Sequence, residues 1–376
     1  MSMTHIQMVD LKSQYEKLKP EIDAAIAEVI RETAFIGGPA VKRFGQNLAQ
    51  YLGAKHVIPC ANGTDALQIA MMALNLQPGD EVIVPAFTYV ATAEVIALLK
   101  LKPVMVDVDP RSFNITAEIV EAAVTSRTKA IVPVHLFGQS CDMEPIMQVA
   151  EKYGLHVIED NAQAIGADYT FSDGRVAKTG TISHIGCTSF YPSKNLGAYG
   201  DGGALYTNDD QLAALIHKIA NHGQVRRYYH DVVGCNSRLD GIQAAILDIK
   251  LRHLDAYAAA RQRAAHSYDQ AFQDLPGVHI PWRQPNSTHV FHQYTLIVED
   301  GKRDLLQEYL QSKGIPTMIY YPLPLYHQDA FKPFTEVSYL PVTDHLCKTV
   351  ISLPMHTELS DEQLDFISST VKAFFL

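Results

Sequence analysis

The stretch at residues 81–110, EVIVPAFTYVATAEVIALLKLKPVMVDVDP, decides the fold. Glu81–Val84 is a short, mostly apolar run, Ala91–Leu99 spaces its apolar residues as a helix does, and Val104–Val108 is a second apolar run. Strand, helix and strand in this order predict a βαβ unit. The strands are apolar throughout rather than alternating, so both of their faces must be covered. Outward from this unit the alternation continues. Ala130–His135 and His156–Glu159 read as strands, with helices over Ala117–Val124 and Met143–Tyr153. Gly154 ends the latter as a C-terminal cap. Upstream, Asn62-Gly63-Thr64-Asp65 caps a helix over Ala66–Leu74. Glu16–Arg31 also has helical spacing, with Pro20 expected in its first turn. The expected fold class is α/β, a mostly parallel sheet sandwiched by helices. Leu239–Phe272 is helix-rich, followed by a strand over Val290–Val298 and a helix over Lys302–Lys313. The change of pattern near residue 250 predicts a large domain over 1–250 and a smaller α+β domain over 251–376.

The chain has 376 residues, ample for a sizeable core. Lys plus Arg is 31 and Asp plus Glu is 41, a net charge of −10. Nucleic acids and anionic membranes need a positive field, so neither is expected as a partner. A small local basic site stays compatible with this balance. No apolar stretch reaches the ~20 residues that span a bilayer, so no membrane insertion is expected. Met1–Asp10 shows no charged leader followed by an apolar core, hence no signal peptide is read. The five cysteines, Cys60, Cys141, Cys187, Cys235 and Cys347, are scattered without a C-x-x-C pair. Neither a disulfide framework nor a thiolate zinc site is indicated, and reduced thiols suit the cytoplasm. His289 and His292 are three apart, but in strand-like sequence without an acid, so no metal site is expected.

In an open α/β sheet, ligands sit at the carboxyl ends of the strands. Three segments there carry chemistry. Asn62-Gly63-Thr64-Asp65-Ala66 opens a helix whose free N–H groups suit a phosphate, although an ordinary capped helix looks the same. Asp160 follows the strand His156–Glu159 and either points into the ligand crevice or caps a turn. About 35 residues further on, Lys194 lies among aromatic, hydroxyl and glycine residues, with no run of charges around it. Such a setting lowers a lysine pKa and makes the amine a Schiff-base candidate. A phosphate cradle, an acid and a lysine in this order are what pyridoxal 5′-phosphate requires.

At these residues the sequence resembles the DegT family of sugar-nucleotide aminotransferases, which share the aspartate aminotransferase-like fold, type I. The matching motifs are Asn62–Leu67, Pro85–Thr92, Glu159–Gln163, Ser189–Lys194, Gly200–Gly203, His222-Gly223, Asn236–Leu239 and Tyr321–Leu325, spread over the whole chain. Local similarity at Cys60–Ile69 and around His222–Tyr228 implies the members acting on UDP-2-acetamido-2-deoxy-3-oxo-glucuronate, in lipopolysaccharide O-antigen biosynthesis.

The resemblance implies a role for each matching residue. Lys194 would form the Schiff base and shuttle the proton. Asp160 would pair with the pyridinium nitrogen, Tyr89 would stack on the ring with Phe87 as runner-up, and Gln163 would lie near the phenolic oxygen. Gly63, Thr64 and Ser189 would hold the phosphate, joined by Asn236 from the neighbouring subunit of a homodimer with shared active sites. Arg238, Tyr321, His222 and Arg226 are the candidate substrate contacts. For the arginines, including Arg227, the alternative is a solvated, ion-paired face. His135 is read as structural or substrate-lining. Family members that dehydrate sugars carry His at the lysine position, so Lys194 implies transamination. Glutamate would donate the amine, leaving 2-oxoglutarate, and a UDP-linked keto-sugar would accept it. Asn161 and Tyr320 depart from the family pattern, which usually has Ala and His there, and are expected at or near the site. The alternatives are a 4-keto-6-deoxy or other 3-keto nucleotide sugar, or a non-catalytic regulator. No basic DNA-binding region accompanies the chain, and Lys194 is intact.

Overall fold

The computed structural model describes residues 6–375, so Met1–His5 of the segment read for a leader lie outside the described residues. Helices α1 (Leu11–Glu32) and α2 (Pro39–Leu52) lead into a seven-stranded sheet. Its strands are β1 (His56–Cys60), β2 (Glu81–Pro85), β3 (Lys102–Val106), β4 (Thr128–Ile131) and β5 (His156–Asp160). After a small hairpin, β6 (Asp168–Thr170) and β7 (Val176–Lys178), come β8 (Ile185–Ser189) and β9 (Gly203–Thr207). The order is β1-β9-β8-β5-β4-β2-β3. Only β9 runs against its neighbours.

The inner strands β2, β4, β5, β8 and β9 are buried on both sides over most of their length. Val82 and Val84 pack towards α3 (Gly63–Ala73) and α4 (Ala91–Leu98). Ile83 packs the other way, towards α5 (Ala117–Ala122) and α6 (Met143–Tyr153). All three are 0% exposed. α7 (Asp210–Ala220) joins the first layer, and α8 (Gly241–Leu251) packs with α2 on the second. Pro20 lies well inside α1 rather than in its first turn. It is on the exposed face, where water can satisfy the carbonyl that its missing N–H leaves free.

The hairpin β10 (Gln224–Arg226) and β11 (Tyr229–His230) projects between α7 and α8 in sequence. α9 (Leu254–Phe272) then leads to a three-stranded antiparallel sheet of β12 (Val278–His279), β13 (Tyr294–Val298) and β14 (Val350–Leu353). Its core joins Leu296 and Ile351 to α10 (Arg303–Ser312), α12 (Asp361–Phe375) and the far half of α9, with Ile6 completing it. Asp107, just past β3, couples this part to the large sheet. Its carboxylate accepts from the Val342 N–H, the Thr343 N–H and the Thr343 hydroxyl at 3.0, 2.8 and 2.8 Å. It thereby caps α11 (Pro341–Thr349) from across the chain, at the positive end of the helix dipole.

Parallel direction places the ends of β1, β2, β5 and β8 along one edge. A buried polar pair anchors that edge at β5. Glu159 and His135 are both 0% exposed. The Cys141 N–H donates to His135 Nδ1 at 3.1 Å, so His135 Nε2–H donates to Glu159 Oε2 at 2.9 Å. Glu159 also accepts from the amides of Gly180, Ile182 and Ser183 at 2.6, 2.9 and 2.8 Å. Burial alone would raise the Glu159 pKa, but the His135 and backbone donors outweigh it and hold the carboxyl below its usual value. Both ring nitrogens of His135 are thus committed to buried protein partners.

Glu159→Gln leaves buried donors unmatched and should cost about 3–5 kcal/mol in urea unfolding at neutral pH. The depressed folded-state pKa stabilises wild type above the unfolded value of about 4.3 and is lost as pH falls through the folded value. The gap between wild type and variant should therefore narrow in acid; a gap that is small at neutral pH or widens in acid would contradict this.

Candidate active site

At the end of β1, Asn62 caps α3 by accepting the Asp65 N–H at 2.8 Å. The N–H groups of Gly63 and Thr64 in the first turn stay free for an anion. A Cβ on Gly63 would lie 2.7 Å from Ser189 Cβ, so only glycine lets the β1 and β8 ends meet. Gly203 is constrained likewise, since its Cβ would stand 2.4 Å from the Asn62 carbonyl carbon. The resulting cradle has two backbone donors and the Ser189 hydroxyl.

Asp160 ends β5 and is 6% exposed. The Thr92 hydroxyl donates to its Oδ2 at 2.7 Å and the Ala162 N–H to its Oδ1 at 3.1 Å. Gln163 is oriented from behind, because the Phe137 N–H donates to its Oε1 at 2.8 Å. Its amide nitrogen therefore faces the site and donates to the Tyr321 hydroxyl at 3.2 Å. The Tyr321 ring lies 6.4 Å from Tyr89 and 5.9 Å, edge-on, from Phe87. Tyr89 is 57% exposed, leaving a ring face open to a ligand, whereas Phe87 is 1% exposed and packs on Phe113 and Phe137. The geometry thus favours Tyr89 over Phe87 as the stacking ring.

Lys194 is partly buried in the loop between β8 and β9. Its N–H donates to the Tyr191 carbonyl at 2.8 Å, and the Asn195 amide donates to the Val290 carbonyl at 2.9 Å. Lys250, buried in α8, donates to the Gly197 carbonyl and pins the far side of the loop. Burial pushes the Lys194 ammonium down to about 8, against the opposing pull of Asp160. About a tenth of the amine is therefore neutral and nucleophilic at pH 7, far more than for a lysine with the ordinary pKa of about 10.4.

The fold gathers Gly63, Thr64, Tyr89, Asp160, Gln163, Ser189, Lys194 and Tyr321 at one edge of the sheet. It leaves His222, Arg226, Asn236 and Arg238 exposed on the segment 221–238. The Arg226 guanidinium lies over the Tyr229 ring at 3.4 Å, and the His222 carbonyl accepts from His230 Nδ1 at 2.8 Å. Arg238 borders a cavity of about 880 Å³ between α2, α7 and the outer edge of β1. Asn161, expected at or near the site, turns away from it. Its amide donates to the Thr179 carbonyl and the Tyr206 hydroxyl, each at 2.9 Å, beneath the sheet edge. His289 stacks on Phe291 at 3.8 Å, and both it and His292 are buried. Two contacts escaped sequence reasoning. Thr92 lies in a quoted motif without a role, and the Phe137 N–H is a backbone group that carries no sequence signal.

A family model described as the DegT/DnrJ/EryC1/StrS aminotransferase family matches residues 16–372. UDP-2-acetamido-2-deoxy-3-oxo-D-glucuronate aminotransferase of Pseudomonas aeruginosa is 48% identical over 366 residues, 97% of this chain and 99% of the relative. A pleiotropic regulatory protein of Geobacillus stearothermophilus is 48% identical over 375 residues, 99% of each chain. UDP-N-acetyl-3-dehydro-alpha-D-glucosamine 3-aminotransferase of Acidithiobacillus ferrooxidans is 43% identical over 369 residues, 98% of each. Among solved structures, S. venezuelae DesV with a ketimine intermediate superposes with a TM-score of 0.94 at 37% identity, covering 98% of each chain. Bacillus subtilis NtdA with bound cofactor PMP gives 0.92 at 29% identity, covering 100% of this chain and 86% of that one.

The fold is the type I α/β fold of these enzymes. The residues fit pyridoxal 5′-phosphate: the Gly63 cradle is shaped for a phosphate, and an acid, an amide donor and an amine converge beside it. The chain belongs to the DegT/DnrJ/EryC1/StrS aminotransferase family and is a pyridoxal-phosphate-dependent transaminase.

Proposed function

We propose that the enzyme transfers the amino group of glutamate to a UDP-linked 3-keto sugar, specifically UDP-2-acetamido-2-deoxy-3-oxo-glucuronate, for O-antigen amino-sugar synthesis in the cytoplasm. The observation that carries the reaction type is the gathering of Lys194, Asp160 and the Gly63–Ser189 cradle where the parallel strands end. The 3-keto and UDP parts are supported by two relatives whose names carry them.

Bound pyridoxal phosphate supplies an aldehyde that captures amines and a ring that accepts electrons. The chain's residues do the rest. The Gly63 and Thr64 N–H groups and the Ser189 hydroxyl hold the phosphate. The Asp160 carboxylate holds a proton at the ring nitrogen. The Gln163 amide donates to the ring oxygen, and Tyr89 covers one ring face. Lys194 Nζ takes the proton from the donor α-carbon and, in the second half-reaction, delivers one to the sugar carbon.

We read Asn236 and Arg238 as acting on a partner subunit's site in a homodimer, with His222 and Arg226 beside them. The exposure of Val225, Tyr228, Tyr229 and Val233 on the same arm, at 78, 76, 58 and 86%, supports a surface covered in the assembly. The Arg238 guanidinium suits a uronate carboxylate, which it can hold bidentately. We propose a large cofactor domain over 1–250 and a small domain over 251–376, a division that falls in the last turn of α8.

Apo-enzyme mixed with pyridoxal phosphate should capture it at a rate that rises with pH and levels off above about 8, as Lys194 loses its proton. A rate still climbing towards the ordinary lysine pKa of about 10.4 would contradict the lowered value. Against a panel of keto-sugar nucleotides with glutamate, turnover should be greatest with the 3-oxo-glucuronate. Arg238→Met should lower its kcat/KM by roughly 10–100-fold. Turnover of a 4-keto-6-deoxy sugar alone would overturn the substrate assignment, and no turnover of any of them would favour a regulator.

A further inference from the structure

The carboxylate of Asp160 is held by two donors, one on each oxygen. The Ala162 N–H belongs to the turn that follows β5 and comes with the backbone. The Thr92 hydroxyl is a separate device. Thr92 lies 68 residues earlier, in the first turn of α4, and is 1% exposed. A threonine hydroxyl in a helix can bond back to a carbonyl of its own preceding turn. Here it donates instead to Asp160 Oδ2, at 2.7 Å and out of water. Its branched Cβ restricts χ1, so the donor is fixed in direction. α4 also continues directly from the Phe87–Tyr89 segment, and the Thr92 N–H donates to the Tyr89 carbonyl at 3.4 Å. One residue thus links the ring-covering tyrosine to the acid at the strand end.

We propose that Thr92 is a positioning residue for transamination. It fixes the plane of the Asp160 carboxylate so that an oxygen stays presented to the cofactor's ring nitrogen, and it ties this to the placement of Tyr89. The proposal rests on Asp160 facing that nitrogen, as read in the preceding section. Without the hydroxyl, the carboxylate can rotate about its terminal torsion, which is soft for an aspartate. The ring nitrogen then holds its proton less firmly and the cofactor is bound less tightly. Loss of such an outer partner typically costs 10–100-fold where it orients a ligand, as for metal ligands.

The test compares Thr92→Val, which removes the hydroxyl at similar shape, with Thr92→Ser, which keeps it. Three readouts are needed: the dissociation constant for pyridoxal phosphate, the pH at which the bound cofactor's absorption changes, and kcat against KM for glutamate. Thr92→Val should weaken cofactor binding about tenfold, shift the absorption titration to lower pH and reduce kcat about 10–100-fold with KM within about threefold. Thr92→Ser should stay within about threefold of wild type on all three. If the valine variant does not fold, Thr92→Ala against Thr92→Ser reads the same contrast. In an Asp160→Asn background, Thr92→Val should add no further loss, because Thr92 acts through that carboxylate. Wild-type behaviour of Thr92→Val, or full additivity with Asp160→Asn, overturns the proposal. Asp160→Asn alone separates the two levels. If it retains cofactor affinity, absorption and kcat, the reading of Asp160 fails. If it loses them while Thr92→Val does not, only the role of Thr92 fails.

Discussion

The site depends on one constraint, the shared direction of β1, β2, β5 and β8 in the large sheet, with β9 reversed between β1 and β8. Strands of one direction deliver their carboxyl ends to a single edge. Asn62, Asp160 and Ser189 reach one place for that reason. The edge is also tight. Gly63 against Ser189, and Gly203 against Asn62, leave no space for a Cβ, so the cradle is made of backbone brought into contact.

On this edge the charges are arranged in depth. Glu159 and Asp160 are adjacent in β5 and point to opposite faces. Glu159 is spent wholly on structure, accepting from His135 and three amides. Asp160 accepts only one side chain and one amide, which leaves lone pairs for a ligand. The same contrast holds for the lysines. Burial lowers the proton affinity of both, but Lys250 is committed to the Gly197 carbonyl, while Lys194 lies at the strand ends beside Asp160. Neighbouring residues of one type thus divide into scaffold and chemistry according to how many partners the fold gives them.

Much of this was legible in the sequence. Short apolar cores at 82–84 and 157–158 announced buried strands, and the motifs at their ends announced the site. β8 and β9 were harder to see, because Gly186 and Gly203 replace apolar side chains where other backbone presses close. Pro20 was misplaced because propensity does not say which face of a helix meets water. Asn161 looked like a site residue by adjacency to Asp160, yet strand alternation turns it under the sheet towards Tyr206. The segment holding His222, Arg226, Asn236 and Arg238 matched the family pattern, but one chain alone does not bring it to Lys194. In the proposed homodimer a partner subunit would supply it, and sequence order does not encode such a contact.

The central claim is that Lys194 is the amine that captures pyridoxal phosphate. Borohydride reduction of the cofactor-loaded enzyme, followed by peptide mass spectrometry, tests it most directly. The cofactor's reduced mass should appear on the peptide bearing Lys194 and vanish in Lys194→Ala. Attachment at another lysine, or persistence in that variant, would contradict the account.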